Sequence, residues 1–172
     1  MDNIAIIKLP RRTLLVLAGP AGSGKSTFAR KRFIPTMIVS SDYCRALVSD
    51  DENNQHVNRD AFDLFYYIIH KRMFQGRFTV ADSTALQPEA RRRLLDLAHR
   101  HGYLTCLLIF NVPEQISRVR NLQRERKVEE QVHGYHAGLL QQTIQLAPTE
   151  GWNRLYILSP EQIDAVTIEI EP

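Results

Sequence analysis

The chain has 172 residues, of which 44% are hydrophobic and 24% charged, and its formal net charge is +3. These values describe one globular domain with a real core, and they exclude both a disordered chain and two comfortable domains. No apolar run approaches the roughly 20 residues that a membrane helix needs, and no signal-peptide pattern opens the chain, so a cytoplasmic protein without a membrane partner is expected.

In chain order, the first predicted element is the continuous apolar run Thr13–Ala18, closed by Gly19 and Pro20, which suits a strand buried on both faces of a parallel sheet. After it comes Gly19-Pro-Ala21-Gly22-Ser23-Gly24-Lys25-Ser26, followed by Thr27, which fits the P-loop pattern GxxxxGK[ST] at every required position. The glycines let successive N–H groups turn inward toward phosphate oxygens, and the next helix offers its positive end. In this pattern Lys25 reaches the β- and γ-phosphates of ATP and the Ser26 hydroxyl holds Mg²⁺. The bland alternative is a glycine-rich turn without a ligand.

A short apolar run at 37–39 predicts the second strand, and Asp42 and Arg45 follow three residues apart. In a P-loop fold this strand ends near the γ-phosphate, so Asp42 is a candidate base for an acceptor hydroxyl. Arg45, one helical turn on, is a candidate holder of an anionic part of the acceptor. The competing reading is a mutual surface ion pair, worth only a few tenths of a kcal/mol.

Residues 49–60 are polar and turn-rich, which predicts an exposed loop. Phe62, Phe65, Tyr66 and Ile69 then recur at helical spacing, as do Leu94, Leu95 and Ala98. Between those helices the run 78–81 predicts a third strand ending at Asp82, a candidate outer Mg²⁺ partner once the P-loop is accepted and otherwise an ordinary cap. Leu104–Phe110 and Arg154–Leu158 predict two more strands, and 166–170 predicts an edge strand. Proline starts two helices, in Gln87-Pro-Glu and in Val112-Pro-Glu. Strand alternating with helix implies a parallel α/β sheet with helices on both faces.

Basic residues crowd at Arg91, Arg92 and Arg93, and again at Arg118, Arg120, Arg124, Arg126 and Lys127. The second group is expected on a helix that begins after Pro113 and runs toward Arg126, with Arg120 and Arg124 sharing a face that suits a triphosphate. A solvated basic face is the alternative. Cys44 and Cys106 lack motif spacing and read as buried packing residues, and His133 and His136 lack the context of a metal site.

Together GPAGSGKSTFAR, VSSDYCRALVSDDENNQ, VADST and RNLQRERKVEE resemble the kinase module of bacterial polynucleotide kinase-phosphatase, an RNA-repair enzyme in the adenylate-kinase-like P-loop group. The similarity runs over nearly the whole chain, and the stretch around Asp42 is far more specific than the P-loop. It implies a single P-loop NTPase domain over 1–172, a five-stranded sheet in the order 2-3-1-4-5, and a lid at about 121–135. It also implies an activity, transfer of the γ-phosphate of ATP to the 5′-hydroxyl of RNA or DNA. Asp42 would be the base and Arg45 the contact to the acceptor phosphate, while Arg120 and Arg124 would close the lid over ATP and Arg126 is a further candidate nucleotide contact. The three-part repair enzyme adds phosphatase and ligase-like modules, which are expected here as partners. Where that family reads D-x-T-N, this chain has Asp82-Ser-Thr-Ala85, so any contact of that asparagine is absent. Two other functions stay open at this point, a small-molecule kinase of the same fold and a nucleotide-dependent switch that transfers nothing.

Overall fold

The computed structural model describes residues 5–123 and 130–172. Its centre is β2 (Thr13–Ala18), every residue of which is buried. Alternation along this strand sends Leu14, Val16 and Ala18 into one core layer and Leu15 and Leu17 into the other, which is what an apolar run covered on both faces must do. Around it lie β3 (Ile38–Ser40), β4 (Thr79–Asp82), β5 (Leu104–Phe110) and β6 (Arg154–Leu158), all parallel and in the order β3-β4-β2-β5-β6. Numbered within this sheet, that is the expected order 2-3-1-4-5 of a P-loop kinase-like fold.

One layer is filled by α2 (Ser41–Ser49), α3 (Asn58–Phe74), α4 (Pro88–Arg100) and α6 (Glu130–Leu146), through Cys44, Phe65, Ile69, Leu94, Ala98 and Leu140. The other is filled by α1 (Lys25–Arg32) and α7 (Pro160–Ala165), through Phe28, Ala29 and Ile163, with Ile116 of α5 (Glu114–Leu122) packed against it. Both cysteines are free and buried as expected, Cys44 in the first layer and Cys106 in the second.

The ends of the chain depart from the sequence reading. Ile6–Pro10 forms β1, a strand that the local pattern did not predict, and it pairs in parallel with β7 (Thr167–Glu171) as a separate two-stranded sheet. The expected edge strand at 166–170 therefore exists but joins β1 instead of the main sheet. The polar stretch 49–60 is also less of a loop than expected: a 3-10 turn spans Gln55–Val57 and α3 already begins at Asn58.

The triple arginine splits. Arg91 is fully buried, bound to the Glu150 carboxylate at 2.6 Å, to the Ala85 carbonyl at 3.0 Å and to Thr143 Oγ1 at 3.0 Å, while Arg93 stacks over the Tyr66 ring at 3.8 Å. Arg91 is thus a buried structural residue, while Arg92 and Arg93 stay on the exposed side of α4. Arg91 also braces Ala85, whose φ of 47° is left-handed and costs an alanine roughly 1–2 kcal/mol. The resembled family carries asparagine there, a residue that tolerates this conformation.

Candidate active site: a phosphate cradle facing a carboxylate–guanidinium pair

A pocket of about 630 Å³ opens at the carboxyl ends of β2, β3 and β4. The P-loop forms one wall. Gly22 and Gly24 have φ values of 82° and 94°, which a side chain resists, and a Cβ on Gly22 would come within 2.9 Å of the Ser117 carbonyl. Gly24 caps α1, so the positive end of that helix opens into the pocket.

Lys25 is almost fully buried and turned back on its own loop, with Nζ donating to the carbonyls of Gly19 at 2.7 Å and Pro20 at 2.8 Å. Ser23, also buried, stands 3.4 Å from Nζ through its hydroxyl, and its carbonyl accepts from Arg120 Nη1 at 3.1 Å. Ala21, Gly22, Gly24, Lys25 and Ser26 line the cradle, Gly19 and Ser23 hold the Lys25 ammonium behind it, and Thr27 is exposed outside the lining.

Parallel pairing explains why the two candidate carboxylates meet here. Asp82 ends β4 in register with Leu17 on one side and Ser40 on the other, and Asp42 lies two residues past Ser40, in the first turn of α2. The Ser40 hydroxyl caps that turn by accepting from the Tyr43 N–H at 3.2 Å. Ser26 Oγ donates to Asp82 Oδ2 at 2.7 Å. Burial pushes the Asp82 carboxyl above its ordinary value, and the Lys25 charge and the Ser26 hydrogen bond only partly oppose this. A serine hydroxyl beside a carboxylate is a hard-oxygen pair of the kind that suits Mg²⁺, which takes one or two protein oxygens and completes its shell with water and substrate phosphate.

Arg45 lies on the same face of α2 as Asp42 and pairs with it through Nη2. The bland reading is thus half right, since the ion pair exists, but it is no surface decoration. Arg45 is 6% exposed, and it also donates through Nε to the Glu52 carbonyl at 2.8 Å and through Nη1 to Asn58 Oδ1 at 3.0 Å. The polar stretch read as an exposed loop is the second wall of the pocket, through Asn53, Gln55 and Asn58. Asn53, Gln55 and Asn58 were not among the expected site residues, and the first two were marked only by lying in the stretch that carries the family resemblance.

α5 ends at Leu122, which places Arg120 in its last turn. Arg124, Arg126 and Lys127 lie outside the described residues, as does most of the lid's first half. From the far side of that gap, Val132 and His136 of α6 reach the pocket, and the Ala21 N–H donates to His136 Nδ1 at 3.1 Å. Sequence reasoning set His136 aside because it sought only metal spacing.

Among solved structures, the chain resembles the Pnkp1/Rnl/Hen1 RNA repair complex with a TM-score of 0.68 at 21% identity, covering 78% of this chain and 46% of that one. It thus spans less than half the length of that repair protein. Similarity extends to the PezAT toxin-antitoxin system of Streptococcus pneumoniae, with a TM-score of 0.65, 15% identity and coverage of 88% and 69%. It extends also to Mycobacterium tuberculosis APS kinase CysC, solved with AMPPNP and APS, with a TM-score of 0.56, 14% identity and coverage of 90% and 95%. A search of curated proteins finds no match. The AAA domain family matches residues 14–152, which run from the second residue of β2 to just before β6 and include every residue that lines the pocket. The chain therefore belongs to the AAA_33 family of AAA domains and carries the fold of the P-loop kinases.

Proposed function

We propose that the chain is an ATP-dependent polynucleotide 5′-hydroxyl kinase. The observation that carries this reading is the buried Arg45 guanidinium beside the Asp42 carboxylate, in the wall facing the phosphate cradle. A neutral small acceptor gives an arginine there no anion to bind, whereas the phosphate that follows the first nucleoside of a strand does. A guanidinium has five N–H groups, so the contacts to Asp42, Glu52 and Asn58 leave it donors for such a phosphate.

In this mechanism Lys25 leaves the Gly19 and Pro20 carbonyls for the β- and γ-phosphates of ATP. Ser26 and Asp82 hold Mg²⁺, which when bound neutralises charge on the phosphates. Asp42 accepts the 5′-hydroxyl proton as that oxygen bonds to the γ-phosphorus and the bond to the bridging oxygen breaks, releasing ADP. Arg120 acts on the donor side, with Arg124 and Arg126 as its lid companions. The reading also makes RNA-repair phosphatase or ligase modules natural partners, in keeping with the repair complex that the fold resembles.

Acceptor preference tests the proposal. A 5′-hydroxyl oligonucleotide or a nucleoside 3′-monophosphate is expected to exceed the bare nucleoside by about tenfold or more in kcat/KM, the worth of one charge-assisted contact. Arg45→Ala is expected to erase most of that preference. A bare nucleoside used as well as its 3′-monophosphate points to a small-molecule kinase instead, and the same preference surviving in Arg45→Ala removes Arg45 from acceptor binding.

A further inference from the structure

His136 stands apart from the residues assigned above. It occupies α6 one turn after Val132, on the stripe that continues through Leu140 in the core and Thr143 beneath Arg91. The lower part of α6 is therefore fixed by packing and by the hydrogen bond from Arg91 to Thr143, and its upper part is held over the P-loop by the Ala21–His136 contact. His133, on the same helix, is buried away from the pocket and has no hydrogen bond from either ring nitrogen among the described residues. Only His136 of the two lines the cradle.

Its ring chemistry follows from its contact. Nδ1 accepts the Ala21 N–H, so a neutral imidazole must carry its proton on Nε2. Burial, then the charge of Lys25 and then His133, push the His136 imidazolium down to about 4, so the ring is neutral at neutral pH. A neutral ring with Nδ1 engaged offers the pocket one function, an Nε2–H donor, beside the lysine that defines the terminal-phosphate end of the cradle.

We propose that His136 is a further phosphate-contact residue: clasped to the Ala21 N–H through Nδ1, it donates Nε2–H to an oxygen of the terminal phosphate of a bound nucleoside triphosphate. This rests on the reading of the pocket as an ATP site. α6 thereby senses whether the third phosphate is present.

Two amide side chains separate this role from a merely structural clasp. Asparagine places an acceptor near the Nδ1 position, keeping the Ala21 clasp without the phosphate donor, and glutamine places an N–H near the Nε2 position. The experiment is equilibrium binding of AMPPNP and of ADP, each with Mg²⁺, to the full chain and to His136→Ala, His136→Asn and His136→Gln. Loss of one hydrogen bond to a charged group is expected to weaken AMPPNP about tenfold in the Ala and Asn variants, with recovery in the Gln variant and ADP affinity unchanged throughout. The proposal is overturned if His136→Ala binds AMPPNP within twofold of wild type or more tightly. It is equally overturned if ADP weakens in parallel, or if asparagine restores binding and glutamine does not. A wild-type chain that binds neither nucleotide overturns the ATP-site reading itself, and the role of His136 with it.

Discussion

Replacing Lys25 with alanine is expected to lower phosphoryl transfer by about 10³-fold or more, because among the described residues no other ammonium lines the pocket to meet charge that develops in the transition state. Among the described residues, Arg45 is tied into the acceptor wall, and Arg120, on the donor side, binds the Ser23 carbonyl through Nη1, so it adds to Lys25 without replacing it. The same change removes the donor to the Gly19 and Pro20 carbonyls, so a stability loss of about 1–3 kcal/mol is expected as well. Transfer of labelled phosphate from ATP to a 5′-hydroxyl oligonucleotide, with thermal melting on the same sample, separates the two effects. Turnover like that of wild type in a folded variant would take Lys25 out of the chemistry.

The largest expected loss of stability lies away from the pocket mouth, at the Arg91–Glu150 pair. Arg91→Ala is expected to cost about 3–5 kcal/mol, since it strands a carboxylate that the fold has partly withdrawn from water. Replacing both partners, Arg91→Met with Glu150→Leu, should cost clearly less, because no unpaired charge remains. Urea unfolding of the two single variants and the double variant checks this, and equal losses in Arg91→Ala and the double variant would refute it. Burial opposes ionisation of Glu150, but hydrogen bonds from Arg91 and Trp152 outweigh it and hold the carboxyl below its ordinary value. A carboxylate whose native pKa is depressed stabilises fully above its unfolded pKa, so the contribution of this pair should be constant at neutral pH and fade as pH falls below the ordinary carboxylate range. The variant is also expected to lose activity beyond what stability explains, since Arg91 binds the Ala85 carbonyl just past Asp82 and reaches Thr143 on the helix that carries His136.

What could be read in the sequence was whatever depends on neighbours along the chain. Strand, glycine turn and helix stand in a row from Thr13 to Arg32, and the pairing of Asp42 with Arg45 is a matter of one helical turn. Proline at the start of α4 marked that boundary correctly. What escaped depends on partners far off in sequence. β1 contains a proline and finds its strand partner at Thr167–Glu171, at the opposite end of the chain. Three adjacent arginines look alike as letters, and only tertiary packing sends Arg91 into the core and leaves Arg93 on a tyrosine. His136 meets Ala21 across 115 residues, a contact that no local spacing announces.

The placement of the two thiols gives the fold a pair of built-in reporters. Cys44, on α2, faces the core layer on one side of the central sheet, and Cys106, on β5, faces the layer on the other side beneath α1 and α7. Burial pushes Cys44 up to about 11 and Cys106 up to about 12, so in the native state both are protonated, shielded and inert to alkylating reagents at neutral pH. Each becomes reactive only when its own side of the sheet opens. Identifying which cysteine is alkylated first would thus rank the two layers by the free energy of their local opening. Because Cys44 lies on the same helix as Asp42 and Arg45, a bound acceptor should slow its alkylation and leave that of Cys106 nearly unchanged.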